Sequence, residues 1–437
     1  MASTERVGAR LGMLPGLSTL GAALVLGLAP VPGHAQDAAP AEPALALRTV
    51  VAVNALTQRA APGEVGYFHP GDDTTQSGGE SLRLEVSGKL GTALDWRADY
   101  LNGLQHLSGP ADPTQKAGAD LFRRNPLRRW LERPETDPAH PVSGQQVWWR
   151  HEVDRAWIRW SRAGLDGIAG RQPISFGAGR VWRPTDLFAG FSPLTLDREF
   201  KPGVDALLLR GYPGDFSALT AVVVASPRDE PEVPPSRVLH WRGQAGAGAE
   251  FTALAGAVRG TGVAGGSLEL SGFGAGWRVE GLRLRIQEWP QDESLLSAGV
   301  DFQFSGGAVV LAEVYRATLG AETEGELLST VLAPPYRQGG LPQLSGTVLA
   351  LGVQKDLGGL WRWAYTVFGS ALPDATGARH VSLLHQGALF YSVADEAEAV
   401  FSLLSGTGRG LDPVLGAPRS EFGHVPTALH LAFKFVL

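Results

Sequence analysis

Pro426-Thr427-Ala428-Leu429-His430-Leu431-Ala432-Phe433-Lys434-Phe435-Val436-Leu437 ends the chain. Leu429, Leu431, Phe433, Phe435 and Leu437 share one parity, and His430, Ala432, Lys434 and Val436 the other. A period of two is the period of a β-strand. An apolar face carried through two phenylalanines to the last residue is ill placed at the frayed edge of a water-soluble domain, and well placed against hydrocarbon. The chain upstream is therefore expected to repeat the pattern, as alternating segments joined by turns.

Composition agrees with that expectation. The 437 residues are 44% hydrophobic and 19% charged, with 57 glycines and a mean hydropathy of −0.02, too polar for a bundle of membrane helices. A soluble protein of this length would divide into two or three domains, yet no linker separates any. A large transmembrane barrel uses the same length as one domain. The chain has no cysteine, which excludes a disulfide framework, a thiolate metal site and a cysteine nucleophile.

At the start, Arg6 and Arg10 precede an apolar run from Leu11 to about Ala29, and Gly33-His34-Ala35 before Gln36 offers a small-residue cleavage site. Residues 1–35 are expected to be a signal peptide. The alternative is a retained anchor, which Pro30, Pro32 and the Ala/Pro-rich stretch 36–43 disfavour. Removing Glu5, Arg6 and Arg10 with the signal takes the net charge from −6 to −7, which argues against a nucleic-acid partner.

A membrane strand needs roughly 9 to 11 residues of alternating polarity. Eighteen segments fit: 44–56, 80–90, 92–102, 149–161, 164–175, 203–212, 216–226, 236–246, 249–258, 262–271, 275–286, 293–304, 308–316, 346–356, 360–369, 379–391, 395–405 and 426–437. Connections after even-numbered segments are short and rich in Gly, Asp and Pro, such as Ser87-Gly88-Lys89, Tyr212-Pro213-Gly214-Asp215, Ser305-Gly306-Gly307 and Asp356-Leu357-Gly358-Gly359. Connections after odd-numbered segments are mostly longer, notably 103–148, 177–202, 317–345 and 406–425. Short turns on one side and long loops on the other predict an all-β, antiparallel up-and-down transmembrane barrel over residues 36–437. Eighteen strands satisfy the even count; sixteen also would. A soluble all-β repeat protein is the alternative.

Alternation is cleanest in four places. Leu82, Leu84 and Val86 oppose Arg83, Glu85 and Ser87; Leu94, Trp96, Ala98 and Tyr100 oppose Asp95, Arg97 and Asp99. Ala298, Val300, Phe302 and Phe304 oppose Ser297, Asp301 and Gln303; Trp361, Trp363, Tyr365 and Val367 oppose Arg362 and Thr366. Charge on the lipid face is costly, so the charged faces should point into a wet lumen. Segment 275–286 breaks parity, since Trp277 and Val279 share one face and Leu282, Leu284 and Ile286 the other; a bulge near Gly281 is expected. Segments 203–212, 346–356 and 379–391 are ambiguous. Tyr100, Trp148, Trp149, Trp160, Tyr212, Trp241, Trp277, Trp289, Trp361 and Trp363 fall near segment ends, where interfacial girdles form; core packing is the alternative.

Between segments 149–161 and 216–226 the charge density rises. The stretch contains Asp154-Arg155-Ala156-Trp157-Ile158-Arg159-Trp160, then Gly170-Arg171-Gln172-Pro173-Ile174-Ser175-Phe176-Gly177-Ala178-Gly179-Arg180, Arg183-Pro184-Thr185-Asp186, and Asp197-Arg198-Glu199-Phe200-Lys201-Pro202-Gly203-Val204-Asp205. It resembles porin-like outer-membrane barrels of Gram-negative bacteria, including alginate-export-type channels, which carry a GRQ-x-I-x-W-G element followed by Pro-x-Asp and a charged stretch leading into Gly-Val-Asp. Gly170, Arg171, Gln172, Ile174, Gly177, Pro184, Asp186, Gly203, Val204 and Asp205 match; Phe176 stands where Trp is usual, and Arg183 where Asn is common. The C-terminal strand is similar too, with Leu437 in place of a terminal aromatic. The resemblance implies an outer-membrane channel for passive diffusion of small hydrophilic solutes. It also implies partners in outer-membrane lipid and lipopolysaccharide, and in the assembly machinery that reads the C-terminal strand.

Physically, a loop of this length can fold into the lumen, where Arg171, Arg180, Arg183, Asp186, Asp197, Arg198, Glu199 and Lys201 would line a constriction with the wall residues Arg83, Asp95, Arg97, Arg155 and Arg159. These charges either filter solutes or brace the wall as ion pairs. A second cluster, Phe122-Arg123-Arg124-Asn125-Pro126-Leu127-Arg128-Arg129-Trp130-Leu131-Glu132-Arg133, is a solvated loop or an anion-capturing one. Inward parity collects Arg83, Arg97, Arg155, Arg159, Arg283, Arg285, Arg362 and Lys434 against Glu85, Asp95, Asp99, Asp301, Glu313 and Glu398. The two signs nearly cancel, and no ion selectivity is assigned.

Catalytic signatures are missing: no G-x-S-x-G elbow, no H-E-x-x-H, no Walker loop and no credible dinucleotide fingerprint. Gly272-Phe273-Gly274-Ala275-Gly276 and Gly406-Thr407-Gly408-Arg409-Gly410 read as turn and loop, the ten histidines lack metal-ligand spacing, and Asp72-Asp73 reads as a solvated loop rather than a cation site. No catalytic residue, cofactor or metal is expected. A non-conducting structural or adhesive barrel and a lipid-modifying barrel enzyme are the alternatives to a channel.

Overall fold

A strand with one apolar and one polar face is stable in a membrane only when its ladder groups are all paired, which requires a ring without edges. The computed structural model shows such a ring. It describes residues 45–65, 73–108, 129–132, 135–137, 140–193, 199–227, 230, 232–246, 248–286, 291–333 and 342–437. The signal-peptide expectation therefore lies outside the described residues.

In chain order the strands are β1 (Leu45–Arg59), β2 (Thr74–Leu90), β3 (Leu94–Ser108), β4 (Arg129–Glu132), β5 (Glu135–Asp137), β6 (His140–Arg162), β7 (Leu165–Gln172), β8 (Val204–Gly214), β9 (Ser217–Val224) and β10 (Ser236–Ala245). They continue with β11 (Ala249–Val258), β12 (Thr261–Gly272), β13 (Ala275–Arg285), β14 (Glu293–Gln303), β15 (Val309–Ala317), β16 (Thr347–Asp356), β17 (Trp361–Pro373), β18 (Arg379–Ala394), β19 (Ala397–Thr407) and β20 (Thr427–Val436). One short helix, α1 (Leu327–Leu332), lies in the β15–β16 connection. Of the twenty strands, β4 and β5 pair only with the first half of β6. The other eighteen form a closed antiparallel up-and-down barrel, each paired to its sequence neighbour, β3 to β6, and β1 to β20. Closure reaches the last residue: Thr49 and Leu437 exchange two main-chain hydrogen bonds of 2.8 and 2.7 Å.

Connections at one end are tight. Ala163-Gly164 and Phe273-Gly274 both place two successive residues at positive φ (51° and 77°, 56° and 75°), the geometry of a type I′ hairpin whose twist matches the strands. The other end carries the longer connections, apart from the two-residue turn Arg259-Gly260. Among the described residues no helix is long and apolar enough to cross a membrane.

Parity separates two environments. Leu84, Tyr100, Trp277, Phe302, Trp361, Leu429 and Phe435 are exposed on the outer face, whereas Arg83, Glu85, Asp99 and Ser297 are buried inside. Of the aromatics near segment ends, Trp160, Tyr212, Trp241, Trp277 and Trp361 are exposed on that outer face; Trp289 and the side chain of Trp148 lie outside the described residues.

Several expectations are corrected. Gly281 pairs in register with Gly266 and Leu296, and β13 has no bulge. Its parity is regular: Trp277, Val279, Arg283 and Arg285 face outward, and Leu282 and Leu284 face inward. Arg283 and Arg285 therefore do not line the lumen. Leu282 and Leu284 are apolar because they meet a protein interior, not lipid. Ser87-Gly88-Lys89 belongs to β2, with the turn at Gly91-Thr92-Ala93, and Tyr212-Pro213-Gly214 ends β8. The β3–β6 connection is shorter than 103–148, because both strands run on past the bilayer thickness, where alternation against lipid is no longer required. Register shifts do occur elsewhere, where Val153-Asp154-Arg155 faces Asp99-Tyr100, and at Gly211–Gly214 and Ser392–Ala394.

Candidate functional site: the crossing segment and the charged wall

The β7–β8 connection, residues 173–203, begins at the GRQ element. Gly170 has φ of +118°, and a Cβ there would lie 2.2 Å from the Ala156 carbonyl oxygen, so only glycine allows this strand exit. Arg171 fixes the exit from both sides. Its Nε and Nη2 donate to the two carboxylate oxygens of Asp205 at 2.7 and 2.9 Å, and its Nη1 donates to the Val153 carbonyl at 2.7 Å. At the base of the loop Lys201 pairs with Asp186 and donates to Ser175 Oγ at 2.9 Å. Burial draws the Lys201 ammonium below its ordinary value, with Asp186 opposing that shift.

The loop then reaches strands six and eight places away around the ring. Glu280, halfway along β13, accepts the main-chain N–H of Ala178, Gly179 and Thr185 at 2.8, 2.9 and 2.6 Å, and the Thr185 hydroxyl at 2.7 Å. Glu313, halfway along β15, accepts the N–H of Arg180, Val181 and Trp182 at 3.1, 3.2 and 2.7 Å, and the Ser297 hydroxyl at 2.8 Å. Both carboxylates lie on the inner face and are almost fully buried. Six backbone donors thus wrap two wall anions, a strong arrangement because each bond is charge-assisted. Gly179 sits where a Cβ would come within 1.9 Å of the Trp182 carbonyl oxygen. Such contacts hold the segment across the interior.

Apolar packing seals the same side. Ile174, Phe176, Val181, Trp182 and Phe188 of the segment are buried against inward residues of the wall from Val204 on β8 to Leu384 on β18. Trp182 packs on Tyr315 at 5.5 Å and edge-on to Phe368 at 5.9 Å. The opposite wall, β1, β2, β3, β6 and β20, stays charged. Arg83 bridges Asp99 and Asp154 at 3.1 and 2.8 Å, and Arg97 reaches Asp99 at 2.7 Å and Glu85 at 3.1 Å. Arg155 lies 3.5 Å from Asp99 and donates to the Lys201 carbonyl at 3.3 Å. The end of the loop touches this wall: Glu199 accepts from Arg48 at 3.2 Å and from Lys434 at 2.6 Å, and Phe200 lies under Arg83 at 4.4 Å. Burial alone would raise the Glu199 carboxyl; Lys434 and Arg48 outweigh it and hold the group below the usual glutamate value.

Of the residues singled out from sequence, Arg83, Arg97, Arg155, Glu199 and Lys201 come together here. Arg159 and Asp95 form a separate pair lower on the same wall. Arg180 lies 3.7 Å from Asp301, while Arg183 donates to its own loop at the Gly179 carbonyl, 2.7 Å. Asp197, Arg198 and residues 122–128 and 133 lie outside the described residues, as does Asp72; Asp73 is paired with Arg59 at 3.0 Å. Sequence reading missed Glu280, Arg48 and Trp182, and named Asp154 in the charged stretch without placing it in the wall. Glu280 carried a signal, a lone acid on the inner parity of Leu282 and Leu284. So did Asp154-Arg155, because two adjacent charges cannot both face a lumen without a bulge.

No family model matches the chain, and no curated protein does. Among solved structures the barrel is similar to OccAB1 of Acinetobacter baumannii, with a TM-score of 0.57 and 8% identity over 90% of this chain and 96% of that one. It is similar also to a BenF-like porin from Pseudomonas fluorescens Pf-5, at 0.56 and 10% over 90% and 98%. OccK7 of Pseudomonas aeruginosa gives 0.55 and 9% over 90% and 98%. At these identities the likeness is one of fold.

Proposed function

We propose that the barrel is an outer-membrane channel through which small hydrophilic solutes diffuse, narrowed at mid-height by the 173–203 segment. The observation that carries this reading is the asymmetric interior. One side is filled by the segment and its apolar packing, and the other is a charged surface built from Arg48, Arg83, Arg97, Arg155 and Lys434 with their acids. Dry apolar packing excludes water, so the aqueous route runs along the charged wall. The solved porin named above supports the reading by fold.

Most of these charges are already paired, so they brace the wall as well as setting its field. Arg180, on the crossing segment with its side chain 57% exposed and 3.7 Å from Asp301, is the residue whose charge the route should feel most. Arg180→Ala is expected to shift the reversal potential of the channel under a salt gradient, and an unchanged value would assign Arg180 to the brace. The reading gives the barrel no catalytic step. Swelling of liposomes that contain the folded barrel, in a panel of sugars and organic acids, tests it: entry of the smaller solutes is expected. Folded barrels that admit none would favour a sealed structural or adhesive barrel.

A further inference from the structure

The outer face of β10–β13 carries charge where lipid-facing strands are otherwise apolar. Register places Arg237, Ala257, Gly262 and Arg285 side by side in one row across four strands, all of outward parity and next to the loop end. With neighbouring strands about 4.8 Å apart, the two arginine Cα atoms lie about 14 Å apart. Neither guanidinium has an ion pair or hydrogen bond among the described residues. Arg283, one outward position below Arg285, is held by Asp292 at 2.8 Å. Nearby Arg316 is held by Glu322 at 2.7 Å, and Arg259 by Glu230 at 2.5 Å.

Below the arginine row the surface between its ends is shallow. The next row reads Leu239, Ala255, Ala264, Arg283, so the two middle strands present only small side chains while Leu239 and then Trp241 stand up on one flank. Phe251 and Leu268 close the bottom. An arginine is tolerated on the lipid face only near the interface, where phosphates of lipid headgroups lie.

We propose that this face holds one phosphorylated lipid of the outer leaflet, with Arg237 and Arg285 clamping the headgroup phosphate and an acyl chain lying on Ala255, Ala257, Gly262 and Ala264. Guanidinium suits the ligand because its planar fork binds phosphate oxygens in pairs. The inference rests on the outer-membrane reading above and is independent of conduction.

The test is native mass spectrometry of the folded barrel incubated with a bisphosphorylated glucosamine-disaccharide lipid, with its dephosphorylated form and with inorganic phosphate. The wild type should retain one phosphorylated lipid through detergent release. The double variant Arg237→Ala, Arg285→Ala should lose retention by about tenfold or more, and Ala264→Trp, which fills the trough, should lose it too. Equal retention by the double variant, equal retention of the dephosphorylated lipid, displacement by inorganic phosphate alone, or a second copy of the barrel in place of lipid would each overturn the proposal. Heat-modifiable mobility shows that each variant is folded, and swelling rates of the variants should equal the wild type. A barrel that retains lipid and does not conduct would defeat the channel reading alone; one that conducts without retaining lipid would defeat this proposal alone.

Discussion

Glu280 and Glu313 decide the position of the crossing segment. Each buried carboxylate accepts hydrogen bonds from three loop amides, and leaving such donors buried without an acceptor costs about 1–3 kcal/mol apiece. Glu280→Ala should therefore loosen the loop by several kcal/mol locally without opening the ring. The expected result is noisier single-channel current of larger amplitude with unchanged heat-modifiable mobility. Glu280→Gln, which keeps one acceptor oxygen, should show a smaller change. Gly179→Ala should resemble Glu280→Ala, because a Cβ has no room beside the Trp182 carbonyl. pH supplies an independent probe at Glu199. Its folded-state pKa lies below the ordinary glutamate value, so its contact with Arg48 and Lys434 adds stability above that ordinary value, about 4.3. The contact is lost as pH falls through the depressed folded value. Conductance should stay level from neutral pH down to the ordinary glutamate value and change only below it, and Glu199→Gln should remove that change.

At the scale of the strand, parity is the cause of structure, and its legibility depends on what each face meets. Where one face meets lipid and the inner one carries polar or charged side chains, as in β2, β3 and the halves of β14 and β17 nearer the tight turns, alternation was readable and the faces are as expected. β8, β13, β16 and β18 were ambiguous for one reason. Their inner faces meet the buried segment, so Leu208, Leu282, Val348 and Leu384 are as apolar inside as Leu207, Val279, Leu349 and Val381 are outside. A one-sequence reading scores both faces alike. The GRQ and Gly-Val-Asp elements were readable as local chemistry, but their targets were not, since Glu280 and Glu313 lie about a hundred residues downstream and nothing local announces the contact. A substitution pair on β16 separates the two faces. Leu351→Arg places a cation on the lipid side near mid-strand and should destabilise the barrel by about 2–4 kcal/mol. Gln354→Arg, on the inner side near the turn end, should cost less than about 1 kcal/mol. Urea unfolding in lipid vesicles measures both; equal losses would contradict the assigned faces.

For the whole molecule, closure and asymmetry act together. Pairing of β1 with β20 removes the edges of the eighteen-strand ring, which makes the bilayer an acceptable solvent. The segment anchored on β13 and β15 packs against one side of the interior and leaves the charged wall on the other. The most direct measurement is the current through single purified barrels in a planar bilayer. Discrete steps in salt solution are expected, enlarged when Glu280 and Glu313 are both replaced by alanine. A barrel shown to be folded and inserted that passes no current in either form would contradict an aqueous route along the charged wall.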